Sequence, residues 1–190
     1  GQRPVFNPGI GIIQPEQKRP DLPWSPFPKK PAKDEFNGDK LDLEWNFLRT
    51  PFEKWYDLNN GNLTLNLRGE VLDSLVNPSL IARRIEHYNF STTLSLNFNT
   101  SKENEQAGMI IYRRSTCHYQ FLKEKNELVV IKTIKGEKSE IVRVSYSKDK
   151  VILKATATGR ALIFSYGSSE TNMKTIGEKQ DMNVVSFEVA

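Results

Sequence analysis

The feature that most constrains this chain is a long succession of short segments in which apolar and polar residues alternate. Residues 62–67 place Leu63, Leu65 and Leu67 on one face, and residues 92–98 repeat the pattern with leucine and phenylalanine. A period of two is typical of strands with one buried and one exposed face. These segments recur about every ten to twelve residues, a spacing typical of sandwiches and barrels rather than of alternating helices and strands.

Further segments rich in β-branched and aromatic residues extend this pattern along the chain. The predicted strands are 44–48, 80–84, 107–113, 118–122, 127–133, 140–146, 151–157, 161–166 and 184–189. Turn signals separate them at 60–61, 135–137, 147–149, 158–159 and 166–167. A single helical turn is predicted at 72–76, ended by Pro78. We therefore predict an all-β fold in which two antiparallel sheets form a jelly-roll or lectin-like sandwich.

An extended arm precedes this pattern. Eight of the ten prolines fall before residue 32, and proline holds the chain near polyproline II without an N–H for regular structure. The arm also carries large apolar side chains, including Trp24 and Phe27. Since that is too much apolar surface for a free linker, we expect the arm to lie against the following domain or against an absent preceding one. The predicted organisation is a connector at residues 1–32 and a β-sandwich at residues 33–190.

Composition excludes several classes of function. The 27 Lys and Arg residues are spread along the chain, and the net charge of +4 shows no concentrated patch for nucleic acid. Cys117 is the single cysteine, which leaves no internal disulfide and no CxxC motif. No stretch approaches the ~20 apolar residues that span a bilayer. We therefore expect neither a nucleic-acid nor a membrane partner, and the compartment stays open between cytoplasm, periplasm and secretion.

The sequence offers little catalytic chemistry. It has no phosphate-binding glycine loop, no HExxH and no GxSxG, and His87 and His118 stand far apart. The acidic residues near the first strand begin at Asp34. They are either solvent-exposed or ligands for calcium, which needs six to eight oxygens. No catalytic residue is predicted.

Aromatic side chains are candidates for sugar binding, because a flat ring can stack on the apolar face of a pyranose. Trp45, Trp55 and the adjacent Tyr56 are the candidates. Large aromatics in sandwiches are mostly buried, which favours a core position for Trp45. For Trp55 both a core and a sugar-binding position stay open.

Several ordered segments resemble one known family. They are DEFNGDKL at 34–41, EWNFLRTP at 44–51, GNLTL at 61–65, PSLIARRIEH at 78–87 and EQAGM at 105–109. In this order they are similar to the C-terminal concanavalin-A-like domain of family 43 β-xylosidases. Residues 3–9 and 18–24 resemble the tail of that family's catalytic propeller and its connector. The combination covers most of the chain.

The resemblance implies a role without catalysis. In the family, the aspartate base, the glutamate acid and a third carboxylate lie in an N-terminal five-bladed propeller, and none of those positions is in this chain. The resemblance implies that the sandwich packs on the propeller of the same polypeptide and helps shape its pocket. Trp24, Phe27, Arg83 and Arg84 are the predicted interface residues. Family members also continue beyond the segment at 187–190 with a turn and a last strand, so we expect the sandwich to be truncated.

Two functions from different classes follow. The first is a non-catalytic accessory domain of a xylosidase or arabinofuranosidase in hemicellulose breakdown. The second is a free lectin-like module, stabilised by calcium or not, that binds xylan or arabinan oligosaccharides through Trp55 or a neighbouring ring. Xyloside or arabinoside specificity and the oligomeric state stay open.

Overall fold

The computed structural model describes residues 9, 11–16, 18–19, 21–28 and 31–186. Contacts divide the chain into two units, with the boundary between Asp34 and Glu35. All of the regular structure among the described residues lies in the second unit. Its strands are β1 (Asn46–Phe47), β2 (Tyr56–Asn59), β3 (Asn62–Leu65), β4 (Ile81–Ala82), β5 (Phe90–Asn97), β6 (Gln106–Arg114), β7 (Cys117–Glu124), β8 (Glu127–Ile134), β9 (Glu137–Ser145), β10 (Lys150–Thr158), β11 (Ala161–Ser169) and β12 (Asn172–Asp181).

Two four-stranded antiparallel sheets form the body of this unit. The first has the order β12-β11-β10-β5 and the second the order β6-β7-β8-β9. Two short pairs, β1 with β4 and β2 with β3, stand apart from them. The predicted all-β sandwich of two antiparallel sheets is confirmed.

The core lies between the inner faces of the two sheets, as the alternating pattern requires. β10 shows the alternation clearly, since every second residue from Val151 to Ala157 is buried. Phe164 of the first sheet contacts two rings of the second, with centroid distances of 5.9 Å to Tyr119 and 5.5 Å to Phe121. These rings are almost fully buried and account for much of the apolar surface removed from water.

Two of the hairpins have the two-residue turns that their sequences indicate. Asn60 and Gly61 join β2 to β3 with φ angles of 50° and 71°, and Lys135 and Gly136 join β8 to β9 with 51° and 87°. Positive φ at both central residues is the type I′ requirement, which Asn-Gly meets with little strain. These two turn predictions are confirmed.

The C-terminal part of the sequence prediction is wrong in two places. Residues 166–167 lie within β11 rather than in a turn, and the turn follows at residues 170–171. β12, which sequence analysis missed, comes next. Residues 184–185 belong to a one-turn 3₁₀ helix, Met182–Val185, instead of a strand, and Asp181 caps it by accepting from the Asn183 amide at 2.9 Å. Ser186 caps this helix at its C-terminal end, and residues 187–189 of the predicted strand lie outside the described residues.

The segment that runs from residue 43 to residue 88, which we call the cover segment, contains β1 to β4. On the outer face of the second sheet, His118 and Thr133 are 0% exposed although they point away from the core. The cover segment reaches this sheet through an ion pair of 2.8 Å between Asp73 and Lys138 of β9. Part of the cover segment therefore lies against the second sheet.

No helix in the part of the chain that the structure describes is long and apolar enough to cross a membrane.

Candidate functional site

The cover segment carries most of the exposed apolar surface of the second unit. Among residues 35–186, every exposed large hydrophobic side chain except Ile163 lies in it. Leu43 and Phe52 are 96% exposed, and Leu75 and Tyr88 are 88% exposed. Exposed apolar residues concentrated in one segment are typical of an interaction site, whereas scattered single residues are not. The cover segment is therefore the candidate functional surface.

A buried hydrogen-bonded node centred on Asn77 fixes the conformation of this segment. The Trp55 indole Nε1 donates to Asn77 Oδ1 at 2.5 Å, and Asn77 Nδ2 donates to the carbonyl oxygens of Leu48 and Arg49 at 2.9 and 3.1 Å. Arg68 donates to the Asn77 carbonyl at 3.0 Å. The Asn77 side chain thus joins Trp55 to residues 48–49, and the Asn77 backbone adds Arg68. Sequence analysis did not identify Asn77, because a lone asparagine before a proline carries no signal beyond a turn.

Trp55 occupies the interior of the cover segment. Its side chain is 1% exposed, and its ring packs edge-on against Phe47 with a centroid distance of 5.6 Å. A ring in this position presents no face to a sugar. Trp45, for which the sequence favoured the core, is only half-buried and lies 5.5 Å from the Phe36 ring. Trp55 therefore takes the interior position and Trp45 does not, although the sequence favoured the core for Trp45.

Tyr56 is half-buried beside this interior. Its ring lies 5.5 Å from Phe47, and Lys54 Nζ lies 5.8 Å from its centroid. The hydrogen bond and charge of Asp57, 2.8 Å from Lys54 Nζ, raise the pKa of Lys54 above its usual range. Tyr56 is thus part of an aromatic and charged group at the β2 edge, and its predicted sugar-binding role stays a prediction.

Arg83 and Arg84 stand at the end of the cover segment, directly after β4. Arg83 forms an ion pair with Glu44 and lies 5.7 Å from the Trp45 ring, while Arg84 is exposed. β1 and β4 pair with each other and bring these residues next to the first strand. The structure therefore brings Arg83, Glu44 and Trp45 together, and the following residues 84–89 are exposed.

The arm has its own local contacts. Arg19 lies 4.9 Å from the Trp24 ring and donates to the Leu22 carbonyl at 3.3 Å. Trp24 and Phe27 are 71% and 96% exposed. Their predicted role at a domain interface stays a prediction, and the motif at residues 3–9 falls almost wholly outside the described residues.

The acidic stretch that begins at Asp34 is the candidate calcium site of the sequence. Within residues 31–186 and the described parts of the arm, no three His, Cys, Asp or Glu side chains converge. Asp34 is half-buried at the start of the acidic stretch. Its role as a calcium ligand stays a prediction.

Three carboxyl groups of the second sheet surround one arginine in a network of ion pairs. Arg143 of β9 lies 2.6 Å from Glu124, 2.7 Å from Glu127 and 2.8 Å from Glu140. The hydrogen bond from Arg143 lowers the pKa of Glu140. A glycosidase acid instead needs a raised pKa and a second carboxyl group at a defined separation. This group therefore stabilises neighbouring strands.

Comparisons with known proteins agree with this geometry. A family model described as the beta xylosidase C-terminal concanavalin A-like domain matches residues 33–190. A non-reducing end α-L-arabinofuranosidase of Bacteroides ovatus is 30% identical over 161 residues, which are 81% of this chain and 30% of that protein. A xylosidase/arabinosidase of Butyrivibrio fibrisolvens is 32% identical over 163 residues, covering 80% of this chain and 31% of its own.

A solved structure matches the fold over nearly the whole chain. The crystal structure of a xylan β-1,4-xylosidase from Bacillus halodurans superposes with a TM-score of 0.83 at 27% identity, over 90% of this chain and 35% of that one. This chain spans less than a third of the two relatives described above.

Proposed function

Because this chain belongs to the beta xylosidase C-terminal concanavalin A-like domain family of glycoside hydrolase family 43, we propose that it is the non-catalytic accessory part of a β-xylosidase or α-L-arabinofuranosidase. Its partner is an N-terminal catalytic propeller in the same polypeptide. Its role is to pack on that propeller and help shape the pocket that receives the hemicellulose side chain. The length difference from the relatives supports such a partner.

The observation that carries the proposal is the exposed apolar surface of the cover segment. Phe52 and Leu75 stand almost fully in solvent, although the segment beneath them is fixed by the buried Trp55–Asn77 node. A well-ordered layer with an apolar outer side is suited to a permanent contact within one chain. We place the propeller against this side.

The lectin-like alternative relied on Trp55 as the ring that stacks on sugar, and Trp55 is buried. No observation on the described residues favours this alternative over the accessory role.

An assay of the purified chain tests the absence of catalysis. We expect no turnover of aryl β-xyloside or aryl α-arabinofuranoside. Turnover that is lost when an acidic residue of this chain is replaced would overturn the proposal.

Substitutions in the proposed full-length enzyme test the contact. Phe52→Ser and Leu75→Ser together should uncouple the two domains, so that one unfolding transition in calorimetry becomes two and the active enzyme loses thermal half-life. Ile163→Ser is the matched control, because Ile163 is also exposed and apolar but lies on the first sheet. If the control and the double variant behave alike, the cover segment is not the contact.

A further inference from the structure

A cleft lies at one end of the second sheet, between the β7–β8 turn and the end of β9. Its volume is about 510 Å³, which is enough for a small organic ligand. The Tyr146 amide donates to the Asn126 carbonyl at 2.7 Å, and this hydrogen bond holds the two walls together. Glu103, from the loop between β5 and β6, also lines the cleft. The cleft is therefore bounded by three segments that come together only in the fold.

Each carboxylate that lines the cleft has a cation beside it. Glu103 Oε1 lies 2.6 Å from Lys125 Nζ, and Arg143 lies 2.6 Å from Glu124 and 2.7 Å from Glu127. A charged ligand would have to compete with these ion pairs, whereas an uncharged polar ligand would not. The cleft is thus suited to an uncharged ligand.

The lining keeps unused hydrogen-bonding groups despite these ion pairs. Each of the three carboxylates bonds its cation through one oxygen, which leaves the second oxygen as an acceptor. The side chains of Asn126, Ser145 and Ser147 are exposed, and within residues 31–186 they form no hydrogen bond to the protein. The cleft therefore offers carboxylate acceptors, an amide and two hydroxyl groups to a ligand.

Tyr146 adds a fixed aromatic ring to the lining. Its hydroxyl group donates to the Lys150 carbonyl at 2.8 Å, and its ring packs edge-on against Tyr166 with a centroid distance of 5.7 Å. The buried Lys123 Nζ lies 5.9 Å from the Tyr146 centroid and donates to the Lys125 carbonyl at 2.6 Å. The ring can contact the C–H groups of a ligand, so the lining is not polar alone.

We propose that this cleft binds an uncharged mono- or disaccharide. Sugar hydroxyl groups both donate and accept, so one sugar can bond to the free carboxylate oxygens and to Asn126 at the same time. The C–H groups of its ring can pack on Tyr146. A protein segment fits this lining less well, because the centres of protein interfaces are depleted in serine and glutamate, and both residue types line the cleft.

The cleft is distant from the proposed contact with the propeller. Glu124 and His118 stand near opposite ends of β7, about 20 Å apart along the strand. The ion pair of Asp73 in the cover segment with Lys138 is at the His118 end, because Lys138 pairs with Thr133 and Thr133 with His118. A sugar in the cleft is compatible with the accessory role and would serve a free module equally, so the inference does not depend on the proposed function.

Nuclear magnetic resonance of the purified chain tests the site. Methyl β-xyloside, methyl α-arabinofuranoside and xylobiose should bind with millimolar dissociation constants and shift the amide signals of residues 124–127 and 145–147. The amides of β2, which contains the other sugar-binding candidate Tyr56, should not move. The absence of any shift at the highest soluble sugar concentration overturns the proposal, and so does a shift confined to β2.

A substitution in the cleft tests the same site. Asn126→Ala should raise the dissociation constant about threefold or more, because it removes a hydrogen bond to the sugar. Asn172→Ala is the matched control, since Asn172 is also an exposed asparagine at a hairpin turn but lies on the first sheet. The amide spectra verify that both variants are folded. If Asn126→Ala binds the sugars as tightly as wild type, the proposal is wrong.

Charged probes test the preference for an uncharged ligand. At equal concentration, glucuronate and spermidine should shift the amides of the cleft less than methyl β-xyloside does, because the charges of the lining are already paired. Larger shifts with spermidine would show that the carboxylates attract a cation, and larger shifts with glucuronate would show that the cations attract an anion. Either result overturns the proposal.

Discussion

At the scale of single residues, Asn77 holds the cover segment together. Replacing it by alanine leaves the Trp55 Nε1–H and two carbonyl groups without their partner in a buried place. We expect Asn77→Ala to lower the free energy of unfolding by about 2–3 kcal/mol, since each orphaned buried group costs about 1–3 kcal/mol. Urea titration followed by tryptophan fluorescence measures it.

The control for this variant is Asn99→Ala. Asn99 is exposed in the loop after β5, and its loss should change stability by no more than about 0.5 kcal/mol. Equal losses for the two variants would mean that the hydrogen bonds of Asn77 contribute nothing specific.

Lys123 is a buried amine on the inner face of β7. It is 1% exposed, and its Nζ donates to the Lys125 carbonyl at 2.6 Å. Burial lowers the pKa of Lys123 below 10.5, and the charge of Asp149 offsets only part of this effect. Between the lowered pKa and 10.5 the unfolded chain binds more protons than the folded one, so this residue makes stability rise with pH.

Lys123→Met tests this linkage. Met has a similar length without a charge, so the stability of the variant relative to wild type should fall as the pH rises from the lowered pKa of Lys123 to 10.5. Lys174→Met, at an exposed position on β12, should show no such trend. A flat difference for Lys123→Met would show that the amine is solvated in solution.

Residue types alone could not assign the two tryptophans. Trp45 lies in a predicted strand and Trp55 between two predicted strands, and each directly follows a charged residue. What separates them is the amide of Asn77, which comes 22 residues after Trp55 and satisfies the buried indole N–H. A partner at that distance leaves no periodic signal, so the interior position of Trp55 is a tertiary effect.

At the scale of elements, Gly177 joins β12 to the opposite sheet. Its φ angle is +68°, and a Cβ atom there would lie 2.8 Å from Val142 Cγ1 of β9. Gly177→Ala therefore adds overpacking of about 1–3 kcal/mol to a left-handed strain of about 1–2 kcal/mol. Thermal unfolding should show a larger loss of stability for Gly177→Ala than for Gly159→Ala. At Gly159 φ is +56° and nothing lies within 4 Å of an added Cβ atom.

A second substitution isolates the packing contribution. In a Val142→Ala background the clashing methyl group is gone, so Gly177→Ala should cost about as much as Gly159→Ala. An unchanged cost in that background would contradict the contact between β12 and β9.

Most strands could be predicted from alternation, and the exceptions have a physical reason. β12 was missed because Lys174, Glu178 and Lys179 interrupt its apolar pattern on an edge strand, where charges are common. The Tyr166-Gly167 pair suggested a turn, yet Gly167 is needed because a Cβ atom there would lie 2.1 Å from the Asn172 carbonyl. Glycine marks close backbone approach as well as turns.

At the scale of the whole molecule, the accessory role predicts that the isolated chain is apolar on one side. It should bind a hydrophobic dye in the folded state, because Phe52, Leu75 and Tyr88 are almost fully exposed. Replacing these three by serine should abolish most dye fluorescence without changing the near-ultraviolet circular dichroism or the melting temperature. Dye binding that survives the substitution would place the apolar surface elsewhere.

The family could be inferred from short ordered motifs, whereas the exposed apolar surface of the cover segment could not. Arg83 and Arg84 drew attention because they belong to a motif, but the exposed apolar residues of the cover segment carry no common pattern. Which strand pair lies on which face of a sandwich depends on contacts far apart in sequence, such as Asp73 with Lys138. A single sequence therefore does not reveal which strand pair lies on which face.

The pairing of β5 with β10 has a consequence for synthesis. β6 to β9 form consecutive hairpins with short turns and can fold as each strand emerges, but β5 must wait for β10, which is separated from it by the entire second sheet. Joining strands so far apart carries a loop-closure cost that the hairpins avoid. During translation β5, which has no charged residue, thus stays without its partner β10 until late, and pulse-labelled hydrogen exchange should find its amides protected after those of β7 and β8.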